Sequence, residues 1–125
     1  MKQHRPCLWP LACALALFPL GAAAEPWACQ MTVQCENLDC FSINDTYEVI
    51  AADHAGELFL SSLAGDRPVV RLDPGNTTSA DYASAGEHAI GELLTITQDG
   101  LATVSIHGSE GPARTITIFG TCEAL

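Results

Sequence analysis

Positive charge is what this chain has least of: Lys and Arg together number five against 15 Asp and Glu in 125 residues, and the single lysine is Lys2. A surface so poor in basic groups repels phosphate backbones and anionic headgroups, which argues against nucleic-acid binding and electrostatic docking to membranes. Aromatic residues make up only 6 % of the chain. Trp27, Phe41, Tyr47, Phe59, Tyr82 and Phe119 are therefore expected in the core or closing the ends of the fold, with Trp27 over one end. No amphipathic helical pattern, internal repeat, low-complexity tract or interdomain linker occurs after residue 24.

The one long apolar run lies at the amino end. Lys2 and Arg5 precede an apolar segment from Leu8 to Leu20, and Ala22, Ala23 and Ala24 supply small residues just before Glu25. That order predicts an export signal over residues 1–24, cleaved after Ala24, and a single domain over residues 25–125. The run falls short of the roughly 20 residues needed to span a bilayer, and Pro10 and Pro19 interrupt it. No membrane insertion is expected once the signal is removed, and no lipid anchor: Cys13 follows Pro10-Leu11-Ala12 with little apolar run before it, and Pro26-Trp27-Ala28 before Cys29 lacks the aliphatic residue of a lipoprotein processing site. The Ala- and Leu-rich segment points to a bacterial product, periplasmic or secreted. Cleavage would leave Arg67, Arg71 and Arg114 against all 15 acids, three minus fifteen or a net charge of −12. Such a surface attracts a cation or a basic protein, while serving solubility in any case.

About 100 residues make one domain. At that size burial is modest, and exported domains often add disulfides. Cys29, Cys35, Cys40 and Cys122 allow three pairings. Cys35 with Cys40 is favoured because Glu36-Asn37-Leu38-Asp39 can form a turn, and Cys29 with Cys122 because it would fasten the first strand to the last. There is no Cys-x-x-Cys and no second metal-spaced pair to favour zinc or redox chemistry.

Short runs rich in Val, Ile, Thr and aromatics alternate with turn residues, which predicts an all-β fold. Strands are expected at Trp27–Gln34, Thr46–Ala52, Glu57–Leu63, Pro68–Leu72, Gly91–Thr97, Leu101–His107 and Ala113–Cys122, with an eighth candidate at Ala80–Ser84. Turns are expected at Asn44-Asp45, Asp53 to Gly56, Gly65-Asp66, Asp73 to Asn76, Asp99-Gly100 and Gly108 to Pro112. A three-residue loop of Gln98, Asp99 and Gly100 aligns Leu94, Ile96, Ala102, Val104 and Ile106 on one face and puts Gly100 where a positive φ is needed. Ile116, Ile118 and Gly120 extend that face. Short connections predict an antiparallel meander of seven to eight strands curled into a disulfide-stapled barrel, since closure removes exposed edges. A two-sheet sandwich satisfies nearly the same pattern.

Residues able to carry chemistry are sparse. His54, His88 and His107 sit at strand ends or turns without the spacing of a ligand motif. In a meander alternate turns share one end, so Asp53, His54, Asp73 and Asp99 are candidate ligands for a divalent cation such as Ca2+ at one rim, although Asp also simply suits turns. No other cofactor is expected. His107-Gly108-Ser109-Glu110-Gly111 is not the Gly-x-Ser-x-Gly of a hydrolase nucleophile elbow and lies between two strands, so no catalytic role is assigned.

An exported β-barrel with cysteines near both ends and an acidic surface resembles, in architecture and charge, the periplasmic inhibitors of C-type lysozyme. Those proteins carry a Ser-Gly-x-x-Tyr loop, and Ser79-Ala80-Asp81-Tyr82 has neither that glycine nor that spacing. The resemblance implies a binding function towards a basic hydrolase and no site residues. The leading expectation is a non-enzymatic exported domain acting by binding, with an inhibitor of a basic hydrolase or a metal- or small-ligand-binding barrel as alternatives.

Overall fold

A computed structural model describes residues 26–51, 56–85, 91–108 and 114–125. The expected export segment, Asp53, His54 and His88 lie outside the described residues. Eight strands follow in order: β1 (Trp27–Glu36), β2 (Asp39–Ala51), β3 (Leu58–Ser62), β4 (Gly65–Leu72), β5 (Ser79–Ala85), β6 (Gly91–Thr97), β7 (Leu101–Gly108) and β8 (Arg114–Ala124). Each pairs antiparallel with the next and β8 returns to β1, so the sheet closes into a barrel instead of splitting into a sandwich. The segment around Ala80–Ser84 is a full strand, β5.

Local pattern and long-range pairing agree best at the β6–β7 hairpin. Ile96 faces Ala102 and Leu94 faces Val104. The Gly100 N–H donates to the Thr97 carbonyl at 2.9 Å, and Gly100 has φ of 86°, a backbone conformation that glycine adopts without steric cost. Leu94, Ile96, Ala102 and Val104 turn inward and are buried, as is Ile118 on β8. Met31, Tyr47, Val49, Leu60, Val69 and Tyr82 join them in one buried cluster inside the barrel. Fully burying one large apolar side chain stabilises by about 1.5–3 kcal/mol, so this layer is the main driving force for closure.

Both disulfides join the expected partners, Cys29 to Cys122 and Cys35 to Cys40. Cys29 and Cys122 are also register partners in the β1–β8 pair, so the long bridge sits on the seam of the barrel. Cys35 and Cys40 face each other across the β1–β2 turn, where Asn37 takes a positive φ of 56°. A bulge at Met31–Val33 shifts the register of β1 against both neighbours. It reverses the inward and outward alternation of β1, so Gln34 and Glu36 share the face of Ile118 and Ile116.

Five expectations need correction, among them Phe59, which lies on the outward register with Ile50 and Pro68. Asn44-Asp45 is no turn: β2 runs straight through it, because Thr46 and Asp45 pair with Gln30 and Met31 of β1. The Gln30 amide donates to the Asn44 side-chain oxygen at 2.6 Å and to the Asp45 carbonyl at 3.2 Å, so pairing across strands overrides local turn preference. Gly65-Asp66 opens β4, and the turn falls at Leu63-Ala64. Phe119 is 42 % exposed, since it lies on the outward register with Thr103 and Val33. Phe41 is 47 % exposed on a part of β2 that β3 does not reach.

Candidate functional site

The meander places the turns after β2, β4 and β6 at one end, together with Pro26 and Leu125, whose backbones are joined by a Leu125 N–H to Pro26 carbonyl bond of 3.0 Å. Asp73 and Asp99 therefore share this rim. Each is bound up in its own turn. Asp73 has φ of 45°, and its carbonyl accepts the Asn76 N–H at 3.0 Å. The Asp99 carboxylate accepts the Thr97 hydroxyl. Among the described residues no group of three or more His, Cys, Asp or Glu stands close enough to hold a metal ion. The other two candidate ligands, Asp53 and His54, lie outside them.

Trp27 does cover this end. Its indole N–H donates to the Tyr82 hydroxyl at 3.1 Å, tying the first strand to the buried phenol of β5. Beside it a groove of about 240 Å³ runs between Arg71, Asn76, Thr78, Ile96 and Gln98. Asn76 shapes its wall: its side-chain oxygen accepts the Thr78 N–H at 2.9 Å and the Thr78 hydroxyl at 2.8 Å.

The opposite half of the interior holds a polar network that the sequence reading missed. Alternation on β4 puts Arg67 on the same inward face as Val69, and alternation on β6 puts Glu92 with Leu94. Arg67 spans the intervening strand and meets both carboxylate oxygens of Glu92, with Nη2 to Oε1 at 2.6 Å and Nε to Oε2. Its Nη1 donates to Ser62 Oγ at 3.0 Å and to the Gly65 carbonyl at 2.9 Å. The guanidinium also stands 5.8 Å from the Tyr47 ring centre. The hydrogen bond to Glu92 raises the Arg67 pKa above its ordinary value despite burial. Burial, then the Glu92 carboxylate, push Tyr47 up to about 12, against the opposing pull of Arg67. The phenol stays protonated throughout the neutral range and is no base there. This network pins β4 to β6, and the in-phase spacing of Arg67 with Val69 was the signal for it.

Removing one partner strands the other charge. Glu92→Leu is expected to cost about 3 kcal/mol, the lower end for a broken buried pair because Arg67 keeps 16 % exposure. Arg67→Met combined with Glu92→Leu should recover most of that loss, since the desolvation cost disappears with both charges. Urea midpoints of the single and double variants measure it. A double variant no more stable than Glu92→Leu would show that the pair itself, and not the stranded charge, carries the effect.

On the outer face Ile50, Phe59 and Pro68 are successive register partners across β2, β3 and β4. Val70, Ala83 and Leu93 continue the apolar row across β4, β5 and β6. Val70 is 66 % exposed. A groove of about 510 Å³ opens beside the row, between Gly56–Phe59 and Pro68–Arg71. Glu48, Glu57 and Asp66 stand exposed around it. Arg71 also lines the groove, and the exposed carboxylates along the apolar strip suit it to a protein surface that carries basic groups.

No family model, no curated protein and no solved structure matches this chain.

Proposed function

We propose that this chain is an exported, non-enzymatic domain that binds a basic protein through its outer surface. The observation that carries the reading is the division of the barrel: a cluster of apolar side chains is buried inside, while an apolar row bordered by Glu48, Glu57 and Asp66 lies outside. A core of buried apolar side chains supports recognition at the surface. Formal net charge of −10 favours a cationic partner and speeds encounter with it. The two disulfides fit an oxidising compartment, periplasmic or extracellular. Among the described residues no helix is long and apolar enough to cross a membrane. Outer-membrane barrels have a polar interior and an apolar outer band, and here the apolar layer is inside, which supports a surface facing water.

A basic hydrolase such as lysozyme is one partner of this chemistry, and inhibition of it is the narrower form of the proposal. The test is complex formation between the disulfide-intact protein and basic exported proteins, a C-type lysozyme included, at low and high salt. A complex that weakens as salt rises is expected, with Val70→Asp weakening it tenfold or more at unchanged melting temperature. A turbidity assay then reads whether the lysozyme complex is inhibitory. Equal binding of acidic and basic proteins, or binding of none, would end the proposal.

A further inference from the structure

The barrel wall is uneven, because β2 has 13 residues and β3 has five. Of β2, only Glu48–Ala51 pairs with β3, so Asp39–Asp45 has β1 on one side and, among the described residues, no strand on the other. The Asp45 carboxylate accepts the neighbouring Thr46 N–H at 2.8 Å. An unpaired edge offers backbone donors and acceptors to an added strand. Alternation puts Asp39, Phe41, Ile43 and Asp45 on one face of this edge. From Trp27 to Ala51 there are four carboxylates and no Lys, Arg or His.

We infer that Asp39–Asp45 is the docking edge for an extended basic segment of the partner, which joins the barrel as an extra antiparallel strand. This rests on the proposed preference for a basic partner. The register prescribes the segment: basic, apolar, apolar, basic at alternate positions, matching Asp45, Ile43, Phe41 and Asp39. A second copy of this chain fits poorly, since antiparallel pairing about Ser42 sets Asp39 against Asp45, and like charges directly opposite repel.

The test uses the disulfide-intact protein and the synthetic peptide Lys-Thr-Val-Thr-Val-Thr-Lys, with amide hydrogen exchange followed by NMR. The edge-facing amides of Asp39–Asp45 should exchange freely in the protein alone and at least tenfold more slowly with the peptide. The same peptide with Glu for Lys, or with alternate backbone nitrogens methylated, should protect none of them. Phe41→Lys, which alters a half-exposed side chain, should keep the fold and weaken peptide binding tenfold or more. Protection of these amides in the free protein would mean that the chain covers its own edge and would overturn the inference. If a basic protein binds without changing these amides, the edge falls and the proposed function stands. If neither the lysine peptide nor any basic protein binds, both fall.

Discussion

Gly120→Ala is expected to cost at least about 3 kcal/mol, near or beyond the upper end for an overpacked core, and Gly120→Val to unfold the barrel. A Cβ at Gly120 would overlap the Gln30 carbonyl oxygen and lie 2.7 Å from Met31 Cα and 2.8 Å from Met31 Sδ. Two of these three atoms are backbone, so no rotamer change relieves the contact. The crowding arises where β1 bulges at Met31–Val33 and presses onto β8 opposite Gly120. Closure of the barrel thus depends on the missing side chain, which allows the two backbones to approach. Against a total stability of about 5–15 kcal/mol for an ordinary domain, the loss is large. Gly91→Ala is the control, since a Cβ there meets nothing within 4 Å. Urea denaturation of the two variants decides the point, and equal midpoints would show that the seam yields without cost.

Cys29→Ala with Cys122→Ala should lower stability by about 4–5 kcal/mol, whereas Cys35→Ala with Cys40→Ala should cost about 2 kcal/mol. The difference follows from the loops that each bridge closes, 93 residues apart in sequence for the first and five for the second. A longer loop removes more freedom from the unfolded chain, so its bridge raises the unfolded state further. Location reinforces the ranking: Cys29 and Cys122 are buried on the β1–β8 seam, whereas Cys40 is exposed at a turn. The β1–β8 ladder remains without the bridge, so the double variant should still fold in the cold and melt earlier. Equal losses from the two pairs would remove chain entropy as the explanation.

The seam also holds the β6–β7 turn at the rim it shares with Pro26 and Leu125. Gly100 donates no side chain to its turn, and its carbonyl accepts the Cys122 N–H at 2.7 Å. The β6–β7 turn is thereby latched to the strand that carries the long disulfide. Bridge, bulge and turn act on one line of contact between the ends of the chain.

Most of the fold was legible because its signals are local. Alternation in Gly91–Thr97 and Leu101–Gly108, with Gly100 between them, defines a register within a dozen residues. The turn between Cys35 and Cys40 is equally short. Asn44-Asp45 misled because those residues suit turns in isolation, yet here they are held extended by Gln30 and Met31, about 14 positions away in sequence. Asp73 and Asp99 lie on one rim, for topology alone fixes which turns share an end. Arg67 and Glu92 were not paired, because their meeting depends on two strands being held at either side of β5.

By itself the chain of residues determined the all-β class, the inward face of β6 and β7, the Gly100 turn and the short Cys35–Cys40 bridge, because period-two alternation, turn preferences and close cysteine spacing act over short separations. Tertiary structure alone decided the bulge opposite Gly120, the extension of β2 past β3, and the Arg67–Glu92 pair. Each of these depends on which distant backbone lies alongside, and that is set only when the sheet closes.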